Sequence, residues 1–181
     1  MINSISSASE YRPKSFNDMI GQDAIVKTLN NAIKNDNIPQ ALLFCGPRGV
    51  GKTSCARILA KTINNLEDDF EYNIFELDAA SNNSVEDIRN ITDQIRIPPQ
   101  SGRFKVYIID EVHMLSNQAF NAFLKSLEEP PEHVVFILAT TEKNKILPTI
   151  LSRCQIYDFK KVDNESIIKL LLKICKEKKV K

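Results

Sequence analysis

The segment Gly46-Pro-Arg-Gly-Val-Gly-Lys-Thr53 decides the fold, because it matches the phosphate-loop pattern Gly-x-x-x-x-Gly-Lys-Thr at every specified position. The apolar run Ala41–Cys45 precedes it and a helical pattern starts at Gly51, so the segment is predicted to be the turn between a buried strand and a helix. Glycine-rich turns also occur as plain connections. The complete pattern in this setting favours a loop that holds the phosphates of a nucleoside triphosphate.

The predicted roles within this loop follow from its chemistry. A glycine-rich backbone curls so that its N–H groups point at the phosphates, and the helix N-terminus adds a favourable dipole. Lys52 is predicted to reach the β- and γ-phosphates and Thr53 to bind Mg²⁺, with Ser54 beside them on the same helical turn. We therefore expect ATP with Mg²⁺ as the ligand. The glycines in this predicted site are Gly46, Gly49 and Gly51.

Short apolar runs alternate with longer helical patterns along the rest of the chain. This alternation is typical of an α/β fold, in which helices cover both faces of a parallel sheet, and five strands are predicted. The predicted strands are Ala41–Cys45, Asn73–Asp78, Lys105–Asp110, Val134–Ala139 and Gln155–Phe159. The predicted helices are Gln22–Lys34, Gly51–Asn64, Val85–Ile95 (after a Ser84-x-x-Asp87 capping box), Gln118–Leu127 and an amphipathic stretch over 164–178.

The run Val106-Tyr-Ile-Ile-Asp110-Glu111 is predicted to be a buried strand that ends in two adjacent acids. Acids also end strands for solubility alone. Beside a phosphate loop, however, Asp110 is predicted to orient Mg²⁺ and Glu111 to act as the base that activates water. His113 completes the string Asp-Glu-Val-His, similar to the DExH box of helicases, although a lone histidine is more often a polar loop residue.

Two further candidates are weak on residue type alone. Thr140-Thr141 follows the predicted strand Val134–Ala139, and a hydroxyl there is a candidate to touch the γ-phosphate or the attacking water. Arg153, in Ser-Arg-Cys before the last strand, is either a solvated surface charge or a finger that reaches the ATP of another subunit. Both assignments stay open on the residues alone.

Composition excludes several classes of protein. The 181 residues are 43% hydrophobic with a formal net charge of +1, which suits one globular domain and gives no general reason to expect a surface that coats nucleic acid. The four cysteines form no Cys-x-x-Cys pair, so neither zinc nor a disulfide framework is predicted. No apolar run approaches the roughly 20 residues of a membrane span, and the start lacks a signal-peptide pattern, so no membrane association and a cytoplasmic location are predicted.

Specific strings are spread over most of the chain. They are Tyr11-Arg-Pro-Lys-Ser-Phe16, Ile20-Gly-Gln22, Gly46–Thr53, Glu76-Leu-Asp-Ala-Ala-Ser-Asn82, Asp110-Glu-Val-His-Met-Leu115, Ala122-Phe-Leu-Lys-Ser-Leu-Glu-Glu-Pro-Pro131, Leu138-Ala-Thr-Thr141 and Leu151-Ser-Arg-Cys154. Together they resemble the gamma/tau family of bacterial DNA polymerase III clamp-loader ATPases, which belongs to the AAA+ proteins. The Ser-Arg-Cys string is the most telling of them.

The resemblance implies roles that the residues alone leave open. The family's arginine in Ser-Arg-Cys acts in trans, so Arg153 is implied to be a catalytic finger for a neighbour's ATP. Thr141 is implied to be the sensor of the γ-phosphate, with Thr140 as the fallback. The implied partners are other clamp-loader subunits in a ring, the sliding clamp and, through the complex, primed DNA. The residues implied to lie on the adenine side are Tyr11, Arg12, Ile20 and Gly21.

Two departures from the family pattern matter. Family members usually carry a four-cysteine zinc module after the phosphate-loop helix, whereas Asn64–Asn73 is short, acidic and free of cysteine, so no zinc is predicted. Family members also continue into a helical lid and a collar, whereas this sequence ends at Lys181. We therefore predict an AAA+ nucleotide-binding domain over 1–160 and the first helix of a truncated lid over 161–181, in either a fragment or a naturally reduced protein.

The leading hypothesis is an ATP-hydrolysing motor domain that loads the sliding clamp onto primed DNA during replication and has no polymerase active site of its own. The alternative is a nucleotide-gated binding module or stator that binds ATP without turnover; the missing lid favours it and the intact Glu111 argues against it. A DExH-type helicase is a third and weaker hypothesis, because such enzymes need a second motor domain.

Overall fold

A five-stranded parallel sheet organises the computed structural model of the chain, in which residues 10–65, 73–82, 84–100 and 102–178 are described. The strands are β1 (Ala41–Cys45), β2 (Ile74–Asp78), β3 (Lys105–Asp110), β4 (Val134–Thr140) and β5 (Gln155–Asp158). They pair in parallel in the order β2-β3-β4-β1-β5. The predicted five-stranded parallel sheet is therefore confirmed.

Helices follow each of the first four strands. In the described ranges the α-helices are α1 (Asp23–Lys34), α2 (Lys52–Asn64), α3 (Val85–Ile95), α4 (Asn117–Glu128), α5 (Pro148–Leu151) and α6 (Asn164–Glu177), with short 3₁₀ turns at Phe16–Asp18, Val112–Met114 and Lys143–Lys145. The predicted capping box of α3 is confirmed, because Ser84 Oγ accepts the N–H of Asp87 at 3.2 Å and the Asp87 carboxylate accepts the N–H of Ser84 at 3.2 Å. The sequence did not predict α5 or the 3₁₀ turns, since such short elements do not repeat an apolar spacing.

Several predicted boundaries need correction at their ends. The strand predicted to end at Ala139 continues to Thr140, whose backbone stays in register with Cys45. The helix predicted from Gln118 begins at Asn117, because Ser116 Oγ accepts the N–H of Ala119 at 3.2 Å and fixes the first turn. Other corrections are β2 from Ile74 rather than Asn73, β5 to Asp158 rather than Phe159, α1 from Asp23 rather than Gln22, α2 from Lys52 rather than Gly51, α4 to Glu128 rather than Leu127, and α6 to Glu177 rather than residue 178.

Helices cover both faces of the sheet, as the α/β prediction requires. Successive side chains of a strand point to opposite faces. In β4, Val135 and Ile137 belong to the core shared with α1 and α2, whereas Phe136 and Leu138 belong to the core shared with α3 and α4. All of β4 is buried, which explains why its sequence is a continuous apolar run rather than an alternating one.

The last helix, α6, lies outside this three-layer core. It has no buried residues and follows β5 after a short linker. The division into 1–160 and 161–181 stays a prediction. Within the described ranges, every helix is too short or too polar to span a membrane. The large apolar residues exposed on α6 are Ile167, Ile168, Leu171 and Leu172.

The carboxyl ends of all five strands meet at one edge of the sheet, called the carboxyl edge below. The phosphate loop follows β1 at this edge, Asp110 ends β3 and Thr140 ends β4. Since β4 lies between β1 and β3, the strand order brings the three segments together. The N–H of Gly46 donates to the carbonyl oxygen of Thr140 at 3.2 Å, which joins the loop directly to the end of β4.

Gly46 is a loop position that has no room for a side chain. Its φ of 149° lies in the range that favours glycine, and a Cβ there would lie 2.6 Å from the carbonyl oxygen of Phe159 and 2.9 Å from Phe159 Cβ. Gly49 also has a positive φ, 75°, but nothing lies within 4 Å of its Cβ position. The two glycines therefore separate the effect of close packing from the effect of backbone conformation.

We expect Gly46→Ala to lower the free energy of unfolding by roughly 3 kcal/mol, because the backbone of β1 or of the Phe159 segment must move. Gly49→Ala is the matched control and should cost about 1 kcal/mol, the price of its left-handed conformation alone. Urea unfolding of both variants without nucleotide measures the difference. Equal transition midpoints would contradict the close approach of Phe159 to Gly46.

Candidate nucleotide-binding site

The N-terminus of α2 is open to an anion. Side chains of Ser84, Ser116 and Asp163 accept a backbone N–H at the starts of α3, α4 and α6. In contrast, Gly51 caps α2 in a left-handed conformation, φ 96°, with no side-chain hydrogen bond and no acid in the first turn. The N–H groups at this end therefore lack a side-chain acceptor, and together with the helix dipole they favour a phosphate.

Lys52 lies over the phosphate loop. Its side chain is buried, and its Nζ donates to the carbonyl oxygens of Gly46 and Pro47 at 2.7 Å each. Burial lowers the pKa of Lys52, while the charges of Glu111 and Asp110 act in the opposite direction. A cation held on a loop that follows an apolar strand fits the predicted contact with the β- and γ-phosphates.

Thr53 and Asp110 bring two oxygen atoms together beside the loop. Thr53 Oγ1 donates to Asp110 Oδ2 at 2.5 Å, so the first turn of α2 is joined to the end of β3. Hydroxyl and carboxylate oxygens suit Mg²⁺, which commonly takes one or two protein ligands and completes its shell with phosphates and water. The pair therefore fits the predicted Mg²⁺ role. Ser54, also predicted to lie in the site, is the next residue of α2 and is partly buried.

Other metal sites are not apparent in the described part of the chain, where no three His, Cys, Asp or Glu side chains cluster in a way that suits a metal ion. The prediction that zinc is absent depends on Asn64–Asn73, and residues 66–72 of that stretch lie outside the described residues. It stays a prediction.

Glu111 has a constrained backbone, and its two carboxylate oxygens have different neighbours. Its φ and ψ, 47° and 43°, are left-handed, which is uncommon for a residue other than glycine. Oε2 accepts the N–H and the hydroxyl of Thr141 at 3.3 and 3.0 Å, whereas Oε1 lies 3.7 Å from Arg48 Nε in the phosphate loop. One oxygen is therefore anchored at the end of β4 and the other faces the loop. The sequence analysis did not anticipate the Arg48 contact.

Thr140 and Thr141 have different surroundings. Thr141 contacts Glu111, whereas Thr140 is fully buried and its Oγ1 lies 3.0 Å from His113 Nδ1. Thr140 Oγ1 also accepts the N–H of Glu142 at 3.0 Å. The hydroxyl of Thr140 is thus occupied inside the protein. This difference favours Thr141 over Thr140 for the sensor role, which stays a prediction.

His113 lies in the segment that connects β3 to α4, and its side chain makes polar contacts there. It lies in the 3₁₀ turn Val112–Met114, and its side chain is only 6% exposed. The turn folds over the carboxyl edge after β3, which brings the imidazole against the end of β4. No pattern in the sequence indicates this contact, because Thr140 lies 27 residues further along the chain.

Arg153 lies at the opposite edge of the sheet from the loop. It precedes β5, whose first residue pairs with Leu42, whereas the loop follows Cys45. The four residues of β5 thus separate Arg153 from the level of the loop by roughly 13 Å, at ~3.3 Å per residue. The guanidinium donates to Glu128 Oε1 and to the carbonyl oxygen of Thr149, at 2.7 Å each. The structure therefore does not bring Arg153 into the site of its own chain.

The four residues predicted to lie on the adenine side fall into two groups. Ile20 is partly buried, and Gly21 is exposed beside the linker after β5, where a Cβ at Gly21 would lie 3.6 Å from Val162. Tyr11 instead lies near the end of α6, with Lys178 Nζ 5.3 Å from its ring centroid, and Arg12 is exposed. The structure therefore places Gly21 beside the linker after β5 and Tyr11 beside the end of α6.

Gln22 was missed by the sequence analysis as a site residue. Its side chain is buried, its Nε2 donates to the carbonyl oxygen of Lys160 at 2.7 Å, and its Oε1 accepts the N–H of Lys160 at 3.2 Å. Nε2 also lies 3.5 Å from the carbonyl oxygen of Val50 in the phosphate loop. Gln22 thus links the loop, the Ile20-Gly21 segment and the linker after β5. A glutamine before a helix suggests a cap, but this one makes no capping bond.

The family model described as "DNA polymerase III, delta subunit" matches residues 21–74 and 70–163. The chain belongs to this family of DNA polymerase III subunits. DNA polymerase III subunit tau of Bacillus subtilis (strain 168) is 48% identical over 181 residues, covering 91% of this chain and 32% of the relative. DNA polymerase III subunit gamma of Buchnera aphidicola subsp. Baizongia pistaciae is 43% identical over 190 residues, covering 96% and 51%. The resemblance to the gamma/tau subunits is confirmed.

Solved structures agree with this DNA polymerase III family membership. A gamma subunit-related protein of DNA polymerase III from Thermotoga maritima aligns with a TM-score of 0.63 and 26% identity, covering 76% of this chain and 47% of that one. The RuvB Holliday junction branch migration motor of Thermotoga maritima aligns with a TM-score of 0.74 over 94% of this chain and 56% of that one, at 23% identity, which shows a shared fold. The predicted AAA+ phosphate-loop domain is confirmed.

The chain spans about a third of the length of the Bacillus tau relative and about half of the Buchnera gamma relative. These DNA polymerase III subunits are therefore longer proteins, and the matched part corresponds to one portion of each.

We expect Gln22→Ala to lower the free energy of unfolding by about 1–3 kcal/mol, because the buried Gln22 side chain and its hydrogen bonds to the backbone N–H and C=O of Lys160 are lost. Thr28→Ala is the matched control on α1, since the exposed Thr28 hydroxyl bonds only to the carbonyl of Ala24 in its own helix. It should change stability by less than about 0.5 kcal/mol. Urea unfolding compares the two, and equal losses would contradict the linking role of Gln22.

Proposed function

We propose that this domain binds MgATP at the phosphate loop and hydrolyses the bond between its β- and γ-phosphates. The observation that supports this most is the meeting of a Thr53–Asp110 oxygen pair and the Glu111 carboxylate at one phosphate-binding turn. A phosphate loop alone predicts only binding of a triphosphate. Acids at the end of a neighbouring strand supply what hydrolysis needs in addition.

Binding is assigned to the loop and its neighbours. The loop N–H groups, the α2 N-terminus and Lys52 hold the β- and γ-phosphates. Thr53 and Asp110 hold Mg²⁺, which when bound neutralises charge on the phosphates. Ile20 and Gly21 are the better supported candidates for the adenine side, because Gln22 connects their segment to the loop.

Glu111 is the proposed general base. A water molecule loses a proton to its Oε1 while the water oxygen forms a bond to the γ-phosphorus. The bond between the γ-phosphorus and the β–γ bridging oxygen breaks, and ADP and inorganic phosphate leave. Thr141 holds Oε2 of the same carboxylate, so it is suited to report the γ-phosphate to the end of β4.

Arg153 is proposed to act on the ATP of a neighbouring subunit. Its position at the edge opposite the loop supports contact with a site other than its own. An arginine finger supplied in trans stabilises the negative charge of the transferring phosphoryl group. On this proposal each site is completed only when subunits stand side by side.

We further propose that the domain is the ATPase motor of the DNA polymerase III clamp loader, active in the cytoplasm in a ring of related subunits. Support comes from relatives named as DNA polymerase III tau and gamma subunits and from the Ser-Arg-Cys string. The sliding clamp and primed DNA are the proposed partners of the assembly, and the domain itself has no polymerase site. The exposed apolar face of α6 supports its proposed role as the first helix of a lid over 161–181.

The alternative of a module that binds ATP without turnover is less well supported. It requires a site that lacks a positioned base, whereas the Glu111 carboxylate is held at one oxygen and faces the loop with the other. The helicase hypothesis rested on His113, and that residue is buried against Thr140.

We expect Glu111→Gln to lower kcat for ATP hydrolysis by roughly 10²–10⁴-fold while ATP binding persists, because the amide cannot take the proton of the attacking water. Glu132→Gln is the control, since Glu132 is an exposed glutamate just before β4, at the other edge of the sheet. Steady-state hydrolysis by the assembled complex is the measurement. Unchanged turnover in Glu111→Gln would refute the motor proposal, and ATP binding without turnover by the unmodified protein would favour the alternative.

We expect Arg153→Ala to lower hydrolysis by roughly 10³-fold in a ring that contains several copies of this subunit. Mixing Arg153→Ala subunits with Glu111→Gln subunits should restore part of the activity, because an intact base on one chain then meets an intact arginine on the next. Mixed rings with no activity would contradict action in trans. Glu128→Gln, which removes only the exposed partner of Arg153, is the control and should leave turnover unchanged.

A further inference from the structure

His113 is a buried polar group that the hydrolysis scheme has not used. Both of its ring nitrogens face oxygen atoms, and the side chain is only 6% exposed. The chain has two histidines, and the other, His133, lies before β4 with Nε2 3.0 Å from the carbonyl oxygen of Ile95. The two therefore occupy opposite edges of the sheet, and only His113 lies beside the base.

The Nδ1 side of the His113 ring joins two residues of the site. Nδ1 lies 3.0 Å from Thr140 Oγ1 and 3.4 Å from Glu111 Oε2. Thr140 is fixed in turn, because its side chain is fully buried and its Oγ1 accepts the N–H of Glu142 at 3.0 Å. The ring is thus held at the end of β4 and lies next to one carboxylate oxygen of Glu111.

The Nε2 side of the ring faces outward. Nε2 lies 3.3 Å from Glu142 Oε1, and the Glu142 carboxylate also pairs with Lys145 at 2.8 Å. Both of these outer side chains are substantially exposed. Carboxylate oxygens only accept hydrogen bonds, so the imidazole stands between two acceptors, one inside the site and one at the surface.

Thr141 and His113 both contact the same carboxylate oxygen of Glu111, the proposed base. Oε2 of Glu111 accepts from Thr141 and lies 3.4 Å from His113 Nδ1, whereas Oε1 faces Arg48 in the phosphate loop. A carboxylate with one anchored oxygen has lost rotational freedom about its terminal bond. A small error in the position of a catalytic group can cost about 10²-fold in rate.

We propose that His113 is a positioning residue for Glu111, whose ring, fixed by Thr140, holds Oε2 in place so that Oε1 stays directed at the phosphate loop. The inference depends on the proposed hydrolysis, because it assigns His113 a part in orienting the base of that reaction. His113 itself does not touch the nucleotide in this account.

The test is steady-state hydrolysis by the assembled complex carrying His113→Ala, His113→Gln or His113→Asn. We expect Ala and Gln to lower kcat by about 10- to 100-fold with little change in KM for ATP. Asparagine places its amide near the position of Nδ1, so it should recover much of the loss, whereas the longer glutamine reaches toward the Nε2 side. His133→Asn is the matched control and should leave kcat unchanged.

A purely structural role gives a different result. It predicts that the Asn and Gln variants are equally impaired, or that kcat falls only together with stability and with ATP affinity, and either outcome would overturn the proposal. Thr140→Val covers the case in which the His113 variants fail to fold, since it removes the hydroxyl that fixes the ring while keeping the side-chain shape. Thr140→Val should also lower kcat, and combining it with His113→Ala should cause little further loss of kcat. An unchanged kcat in Thr140→Val would also overturn the proposal.

Glu111→Gln measured in the same assay distinguishes failure of the proposed hydrolysis from failure of the positioning role of His113. If Glu111→Gln abolishes turnover and His113→Ala does not affect it, the positioning role fails while the proposed hydrolysis stands. If Glu111→Gln has no effect, the proposed hydrolysis itself fails.

Discussion

The hydrogen bond between Thr53 and Asp110 is the contact on which the rest of the site depends. Thr53 lies in the helix that follows β1, and Asp110 is the last residue of β3. These two strands are not neighbours, because β4 runs between them. The first turn of α2 must therefore lie close to the sheet to reach across. The buried residues Cys55, Ala56 and Ala60 supply small side chains on the inner face of α2, which permits that close approach.

A second set of contacts holds the carboxylate of Glu111. Thr140, the last residue of β4, contacts His113, and Thr141, which follows it, donates to Glu111. The carbonyl oxygen of Thr140 also accepts the N–H of Gly46, so the end of this strand contacts the loop, Glu111 and His113. The carboxyl edge is thus a single connected unit, whereas Arg153 lies at the other edge of the sheet.

The fold could be predicted largely from the sequence because its signals are local. The buried strand of β4 is a continuous apolar run, and the loop pattern lies within eight consecutive residues, Gly46–Thr53. The residues of the site could be predicted only where they belong to a sequence motif. The Gln22–Lys160 contact joins residues 138 positions apart, and no local pattern encodes it. His113 looked like an ordinary polar residue for the same reason, since only the strand order brings Thr140 beside it.

We propose that the phosphate loop and the Thr53–Asp110 pair form one MgATP site. Calorimetric titration of the chain with ATP, in the presence and absence of Mg²⁺, tests it most directly. We expect one ATP to bind per chain, with an affinity that falls when Mg²⁺ is removed and a Mg²⁺ effect that disappears in Asp110→Asn. Binding that is indifferent to Mg²⁺, or a full Mg²⁺ effect in Asp110→Asn, would contradict it.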